Sequence, residues 1–151
     1  MAARATRSAS RKARRSEEAV STGPLGALSH DELGVIFDGL ADPLQPAVAV
    51  ALSSTCLGLR TPLRAALEVL EQRHKRAADF CFKVGTSCAK LREAHAVNWG
   101  NMWLINNDME LLGTIVLPSL TRLKRLNLEH NLFDEVGMQV LCEHMGAGDL
   151  P

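Results

Sequence analysis

The chain lacks the sequence features that most directly identify a membrane protein, a hydrolase or a nucleotide-binding enzyme. Its longest uninterrupted apolar run, residues 47–52, is far below the ~18 to 20 apolar residues of a membrane-spanning helix. It contains no Gly-rich phosphate-binding loop, no G-x-S-x-G and no H-E-x-x-H. Its adjacent acidic pairs, Asp31-Glu32 and Asp134-Glu135, lie at predicted helix starts, where carboxylates stabilise the helix dipole. The sequence therefore predicts neither a membrane span nor a catalytic site of its own.

Aromatic residues are scarce, at 4% with no tyrosine, and only four cysteines are present. Cys56, Cys81, Cys88 and Cys142 form no C-x-x-C pair, and the five histidines stand apart from them at no zinc-ligand spacing. No secretory leader is recognised ahead of them. This pattern predicts reduced thiols packed as small apolar residues. We expect no metal, no cofactor and a cytoplasmic or nuclear protein.

The formal net charge is zero, but the charges are unevenly distributed. Residues 1–15 contain six of the 17 basic residues and no acidic one, so the other 11 basic and 17 acidic residues leave the remainder at −6. Residues 1–22 have few large apolar groups, which predicts a disordered basic tail. The tail has four possible interpretations. It is a plain solvated segment, a nuclear localisation patch over residues 10–15, an organelle transit peptide or a segment that contacts nucleic-acid phosphates nonspecifically. Nucleic acid is not the expected main partner, since only the tail is basic.

The stretch from Leu25 to Leu63 predicts three short helices, and the first has the clearest start. Ser29 and Glu32 have the spacing of a capping box. Four apolar residues then recur on one helical face: Leu33, Ile36, Phe37 and Leu40. Gly39 and Asp42-Pro43 end this helix, and apolar segments follow at 44–52 and 56–63. A unit of about forty residues buries little surface alone, so we expect it to lean on the rest of the chain or on a partner.

This unit, residues 23–63, resembles the F-box family. The matching positions are Leu28, Glu32-Leu33, Ile36-Phe37, Leu40, the apolar run 48–52 and Cys56. The chain departs from the family pattern at Ser29, where proline is common, and at Leu59, where many members have tryptophan. The resemblance implies docking on a Skp-type adaptor through six residues: Leu28, Glu32, Leu33, Ile36, Phe37 and Leu40. The plain alternative is a helical hairpin that forms part of a core.

Residues 64–90 are predicted to be connecting helices. Thr61-Pro62 favours a helix start, with Thr61 as the N-cap. Apolar residues then recur at helical spacing to Cys81, which predicts one long helix to about residue 83. Gly85 is expected to end it, and Thr86-Ser87 to cap the next helix. His74 lies on the apolar stripe and is expected to be partly buried and not a ligand.

From Leu91 onward the chain repeats itself at an offset of 29 residues. Asn98 corresponds to Asn127, and six apolar pairs correspond at the same offset: Leu91/Leu120, Val97/Leu126, Trp99/Leu128, Leu104/Phe133, Met109/Met138 and Leu112/Leu141. In the second copy Leu126 and Leu128 alternate with polar residues, as in a strand with one buried face. Asn131 is expected to turn the chain while its amide satisfies backbone groups of the neighbouring turn. A helix is predicted over 135–145, with three residues facing inward: Val136, Val140 and Leu141.

The second copy, Leu123-x-x-Leu126-x-Leu128-x-x-Asn131, resembles the leucine-rich repeats of the ribonuclease-inhibitor class. The first copy is degenerate, with Trp99, Met102 and Trp103, as expected of a terminal repeat that covers the open end of a stack. The resemblance implies that residues 91–151 hold about two repeats, and residues 148–151 look like the start of another. Since a stack needs about three repeats, we expect a fragment of a longer array, or else an exposed end that binds something. An ordinary strand and helix of an α/β domain is the alternative.

The expected fold is α plus α/β, with a three-helix F-box-like unit and a connecting helix leading into a short leucine-rich-repeat solenoid. The two resemblances together imply a substrate receptor of a cullin–RING ubiquitin ligase. Such a receptor binds an unknown target protein and accelerates ubiquitin transfer by proximity. Asn98, Asn127 and Glu129, which point away from the predicted core, are the candidate target contacts.

Two alternatives remain open. One is a leucine-rich-repeat interaction scaffold with no ubiquitin link, whose N-terminal helices only cap the repeats. It is distinguished by whether the helix face of Leu33, Ile36 and Phe37 is exposed or covered by the chain's own long helix. The more distant alternative is a basic-tailed nucleic-acid accessory protein.

Overall fold

A computed structural model describes residues 28–55, 59, 61 and 63–144, which form mainly helices and one small parallel sheet. The helices are α1 His30–Leu40, α2 Ala47–Thr55, α3 Arg64–Lys83, α4 Cys88–Arg92, α5 Asn106–Leu111 and α6 Glu135–His144. The strands are β1 Ala96–Asn98 and β2 Arg125–Asn127. Helix α5 continues into a π-helical turn, Leu112–Val116, and a 3-10 turn, Leu117–Ser119. The predicted class, α plus α/β, agrees with this architecture.

Several expectations fall outside the described residues. They are the basic tail of residues 1–22, the start of a further repeat at 148–151, and Cys56 with most of the third helix of the F-box-like unit.

Helix α1 begins at the predicted capping box. The backbone N–H and the hydroxyl of Ser29 each donate to Glu32 Oε2 at 2.8 Å, and Ser29 Oγ accepts from the Glu32 backbone N–H at 3.3 Å. The backbone hydrogen bond from Ser29, and then the one from its hydroxyl, hold the pKa of the Glu32 carboxyl below its usual value. The local sequence therefore determines where α1 starts.

A small apolar cluster holds α1 and α2 against the beginning of α3. Its buried members are Leu33, Phe37, Ala49, Leu59, Leu63 and Leu70. Leu33 and Phe37 are one helical turn apart on α1, so one face of that helix enters the cluster. Leu70 comes from α3, and the long helix therefore supplies part of the floor on which the two short helices pack.

Helix α3 matches the predicted long helix, but its start differs from the prediction. Its N-cap is Leu63 and no side chain caps it, so the assignment of Thr61 as the N-cap was wrong. Burial of Leu63 positions this end, and packing replaces the missing cap. The other end is as predicted: Gly85 has a left-handed backbone with φ of 68°, and Ser87 Oγ accepts from Lys90 N at 3.4 Å to cap α4.

The loop between α1 and α2 connects the N-terminal helices to the rest of the protein. Asp42 Oδ2 accepts from Arg92 Nε of α4 at 2.7 Å. His74 Nδ1 of α3 lies 2.7 Å from the carbonyl oxygen of Pro43, and His74 is half-buried as predicted. Leu44 belongs to the larger apolar cluster. One short loop is therefore held by an ion pair, a hydrogen bond and a buried side chain.

The larger apolar cluster joins the end of α3 to the sheet, α5 and α6. Phe80 of α3 meets Trp99, which follows β1, edge to face with ring centroids 5.2 Å apart. Near it, Asp108 Oδ2 accepts from Lys83 Nζ at 2.5 Å and from the backbone N–H of Ile105 at 2.8 Å. Asp108 thus fixes the start of α5 and ties it to the end of α3.

Candidate protein-interaction surfaces

The 29-residue repeat in the sequence is also a repeat in space. Strand β1 pairs in parallel with β2, with Val97 opposite Leu126 and Asn98 opposite Asn127. The pairing continues past the strands, where Trp99 N donates to the Asn127 carbonyl at 2.9 Å. The register therefore has the same offset as the sequence match, and equivalent residues of the two copies lie side by side.

Asn131 is the polar centre of the turn that follows β2. Its Nδ2 donates to the carbonyl oxygens of Trp99 at 2.8 Å and Leu128 at 2.7 Å. Its Oδ1 accepts from the backbone N–H groups of Met102 at 3.0 Å and Leu104 at 3.1 Å. The predicted role is confirmed, since the amide satisfies backbone groups of the neighbouring turn and three of these four partners belong to the preceding copy.

The predicted target contacts lie at the ends of the two strands. Asn98 Oδ1 accepts from Gly100 N at 3.1 Å, and Asn127 Oδ1 accepts from Glu129 N at 2.9 Å. Each asparagine therefore closes a short turn of the same kind in its own copy of the repeat. Asn98 and Glu129 are exposed, whereas Asn127 is half-buried. Binding of a target by these residues stays a prediction.

The loops after the strands expose large apolar residues. Trp103 is 67% exposed and Leu132, its equivalent at the 29-residue offset, is 60% exposed. Trp103 was expected to help cover the open end of the stack. Its backbone is left-handed, with φ of 56°, and its neighbour Leu104 fills the core instead. Only Trp99 of the two tryptophans is buried.

Helix α6 buries a narrower face than predicted. Leu141 is buried and Val140 half-buried, but Val136 is 60% exposed. Assignment of Val136 to the core was wrong, because the position one turn before Leu141 that faces inward is Gly137. The absence of a side chain at Gly137 brings α6 close to its neighbour.

The start of α6 is linked to the start of α5 through a reciprocal pair of hydrogen bonds. Asn106 Nδ2 donates to Asp134 Oδ1 at 2.9 Å, and Asp134 N donates to Asn106 Oδ1 at 3.0 Å. Asp134 Oδ1 also accepts from the backbone N–H of Val136 at 2.9 Å. The hydrogen bond from Asn106, followed by those from the helix backbone, lowers the pKa of Asp134 below its usual value.

Substitution of Gly137 by alanine is expected to destabilise the protein, whereas the same change at Gly34 is expected to stabilise it. A Cβ at position 137 would overlap Asn106 Oδ1 and lie 3.0 Å from Phe133 Cβ. A Cβ at position 34, inside α1, meets nothing within 4 Å. We expect a loss of about 1–3 kcal/mol for Gly137→Ala and a gain of about 0.5–1 kcal/mol for Gly34→Ala. Urea unfolding followed by circular dichroism measures both, and equal shifts in one direction would contradict the contact geometry.

The six residues predicted to dock an adaptor divide into two groups. Leu33 and Phe37 are 5% and 1% exposed, so they pack inside the protein and do not present a contact surface. Glu32, Ile36 and Leu40 are exposed, and Leu28 is half-buried. The pattern-based set is thereby corrected at two positions, because the buried face of α1 is the one centred on Leu33 and Phe37.

Further apolar residues of these helices are exposed, of which Val35 lies outside the sequence pattern while Val48 and Val50 belong to its apolar run. Val35 of α1 is 74% exposed, and Val48 and Val50 of α2 are 47% and 40% exposed. Together with Ile36 and Leu40, they form a set that we call the hairpin residues. Helical spacing indicated Ile36 and Leu40 but not Val35, which lies off the face that the apolar pattern marks.

Two thiols meet where α3 gives way to α4. Cys81 Sγ and Cys88 Sγ are 3.5 Å apart. Burial raises the pKa of the Cys81 thiol to about 12, and the hydrogen bond from Cys88 contributes to the same shift. Cys142 on α6 is exposed.

We expect iodoacetamide at pH 8 to modify Cys142 at least about 100-fold faster than Cys81, because the thiolate is the reactive form and each pKa unit changes its fraction tenfold. Peptide mapping by mass spectrometry follows each thiol separately. In urea the two rates should become similar. Equal rates in the native protein would show that Cys81 is not buried.

Within the described parts of the chain, no three histidine, cysteine or carboxylate residues are grouped so as to hold a metal ion. None of the helices in those parts is both long and apolar enough to span a membrane. No family model, curated protein or solved structure matches the chain. The candidate sites therefore rest on the geometry of the two surfaces described above.

Proposed function

We propose that this protein is a non-catalytic substrate receptor of a cullin–RING ubiquitin ligase, acting in the cytoplasm or nucleus. The observation that carries the proposal is the concentration of exposed apolar side chains on the α1–α2 hairpin. Val35, Ile36, Leu40, Val48 and Val50 are between 37% and 74% exposed on helices of only 11 and 9 residues. Apolar surface of this kind is typical of protein–protein contact sites.

The buried residues of α1 give this surface a rigid base. Leu33 and Phe37 fasten one face of the helix to the small cluster, and the Ser29–Glu32 capping box fixes its first turn. In the proposed complex, Ile36, Leu40 and Glu32 contact a Skp-type adaptor directly. Leu33 and Phe37 position those contacts from within the protein.

The two copies of the repeat would hold the target protein. Their parallel register at the repeat offset, and the bonds from Asn131 to both copies, support a leucine-rich-repeat stack. In this proposal Asn98, Asn127 and Glu129 face the target at the carboxyl ends of the strands. Ubiquitin transfer is accelerated because receptor and target are held together, with no catalytic group required from this chain.

One observation favours the second candidate function, a leucine-rich-repeat interaction scaffold without a ubiquitin link. Leu33 and Phe37 pack with Leu70 of the chain's own α3. The N-terminal helices therefore cover part of α3, as a structural cap would. The exposed hairpin residues distinguish the functions, because a pure cap needs no apolar surface facing solvent.

Co-purification with a Skp-type adaptor tests the first function. We compare the wild-type chain with Val35→Asp and Ile36→Asp, and use Val69→Asp as the matched control because Val69 of α3 is 55% exposed. Wild type and the control should bind, and each hairpin variant should bind at least about tenfold more weakly, as expected for an interface residue of substantial energy. Circular dichroism verifies that each variant is folded.

Two outcomes would overturn the proposal. If no folded chain retains the adaptor, the scaffold function is favoured. If both hairpin variants bind as the wild type does, the hairpin is not the adaptor site. Substitution of Phe37 is unsuitable for this experiment, since it would test folding and not docking.

A further inference from the structure

The loops that follow the two strands form one continuous surface. Asn101 N donates to the Glu129 carbonyl at 3.0 Å, and Leu132 N donates to the Leu104 carbonyl at 2.8 Å. A third contact, between Asn106 and Asp134, joins the loops where the helices begin. The two loops are therefore aligned along their length.

Large apolar side chains on the two loops and on the first turn of α6 are exposed to solvent. Trp103, Ile105, Leu132 and Val136 are 67%, 46%, 60% and 60% exposed. We call these four residues the loop surface. The main-chain pairing of the loops places Trp103 and Leu132 at equivalent positions of neighbouring copies. An exposed tryptophan in such a set favours binding of a partner, because its flat ring offers a large contact area and attracts cations.

The charge around the loop surface is predominantly negative, and the nearby Lys83 is paired with Asp108. Residues 126–144 contain four acidic residues and no lysine or arginine, and residues 93–121 also lack both basic types. Glu129, Asp134 and Glu135 are all exposed. Of the basic residues nearest in the sequence, Arg92 is paired with Asp42, and Arg122, Lys124 and Arg125 precede the carboxyl end of β2, where the loop surface lies. A partner of this surface should therefore carry positive charge.

The chain itself contains a segment with that chemistry. Residues 1–15 carry six basic residues and no acidic one, whereas the rest of the chain has a net charge of −6. An arginine can stack on the Trp103 ring by a cation–π contact and donate charge-assisted hydrogen bonds to nearby carboxylates. The tail and the loop surface are thus complementary in both charge and side-chain type.

The connecting segment is long enough for the tail to reach the loop surface. Residues 16–27 separate the basic segment of residues 1–15 from the first described residue. A fully extended segment of this length would span about 40 Å. A folded unit of about 110 residues has a radius of gyration of about 13 Å. Because both partners belong to one chain, their binding is intramolecular, and the effective concentration of the tail depends on the length of the connection.

We propose that the basic segment of residues 1–15 binds the loop surface of the same chain. Occupation of the loop surface by the tail places a competitor beside Asn127 and Glu129, and a basic segment of another protein must displace it. The contact requires no adaptor and no ubiquitin transfer. It therefore stands or falls independently of the proposed receptor function.

Acrylamide quenching of tryptophan fluorescence in the full chain tests the contact. Trp99 is buried and Trp103 is exposed, so Trp103 should dominate the quenching. A variant with all six basic residues of the tail replaced by glutamine should show a quenching constant about twofold higher than wild type, because the ring loses its cationic cover. Raising the salt to about 0.5 M should increase quenching of wild type only, since salt screens exposed charges.

Variants of the acidic residues beside the loop surface complete the experiment. Glu129→Gln/Glu135→Gln should reproduce the effect of the neutral tail. Lys75→Gln/Arg76→Gln, on exposed positions of α3, is the matched control and should quench as wild type does. Equal quenching of the wild-type and neutral-tail chains would overturn the proposal. A wild-type quenching constant that changes with protein concentration would overturn binding within one chain and favour contact between copies.

Discussion

Replacement of Asn131 by alanine should lower the free energy of unfolding by about 2–4 kcal/mol, because each buried backbone group left without a partner costs roughly 1–3 kcal/mol. The side chain bonds the carbonyls of Trp99 and Leu128 and the N–H groups of Met102 and Leu104. Alanine supplies neither donor nor acceptor, so four groups lose this partner at once. Because the turn is only half-buried, water replaces part of the lost bonds, and the expected cost stays below the sum for four fully buried groups. Urea unfolding followed by circular dichroism measures the change.

Asn98→Ala is the matched control for that substitution. Asn98 is exposed and bonds only the N–H of Gly100 in its own turn, so its loss should cost about 1 kcal/mol or less. If the two variants were equally stable, Asn131 would not be the link between the copies, and the parallel sheet would owe its stability to strand pairing and apolar contacts alone.

Replacement of Phe37 by alanine should cost about 3–5 kcal/mol, as expected for removal of a fully buried aromatic ring. The side chain is 1% exposed and packs in the small cluster with Leu33 and Leu70. The cluster has only six buried members. Because few side chains surround Phe37, they fill the cavity left by its ring only in part. Chemical denaturation is again the measurement.

Ile36→Ala provides the comparison on the next residue of the same helix. Ile36 is 37% exposed, and we expect its truncation to cost about 1 kcal/mol or less. A stable Phe37→Ala variant that failed to bind an adaptor would contradict the assignment of Phe37 to the buried cluster and of Ile36 to the adaptor contact. It would mean that Phe37 leaves the cluster and contacts the partner itself.

Much of the local structure was predictable because it depends on residues close together in the chain. The Ser29–Glu32 capping box and the left-handed Gly85 each need only a few neighbouring residues. The parallel register was predictable for a different reason. Two similar segments stack with their equivalent residues adjacent, so the 29-residue offset of the sequence became the offset of Asn98 from Asn127.

The exposure of individual side chains was less predictable, since it depends on what packs against them. Helical periodicity placed Leu33, Ile36 and Phe37 on one face, but only the position of α3 decided which of them are buried. In the same way Val136 was assigned to the core by spacing, and the close approach of Asn106 to Gly137 selected a different face of α6.

By itself the sequence determined the starts of α1 and α4, the end of α3, the turn at Asn131 and the repeat offset. These features depend on local hydrogen bonds and backbone preferences, or on the similarity of two segments. Only the tertiary structure decided that Phe37 is buried while Val35 is exposed, and that Trp103 and Leu132 are both exposed to solvent. Burial is a property of contacts between distant segments, and a pattern along one segment does not contain the position of its neighbours.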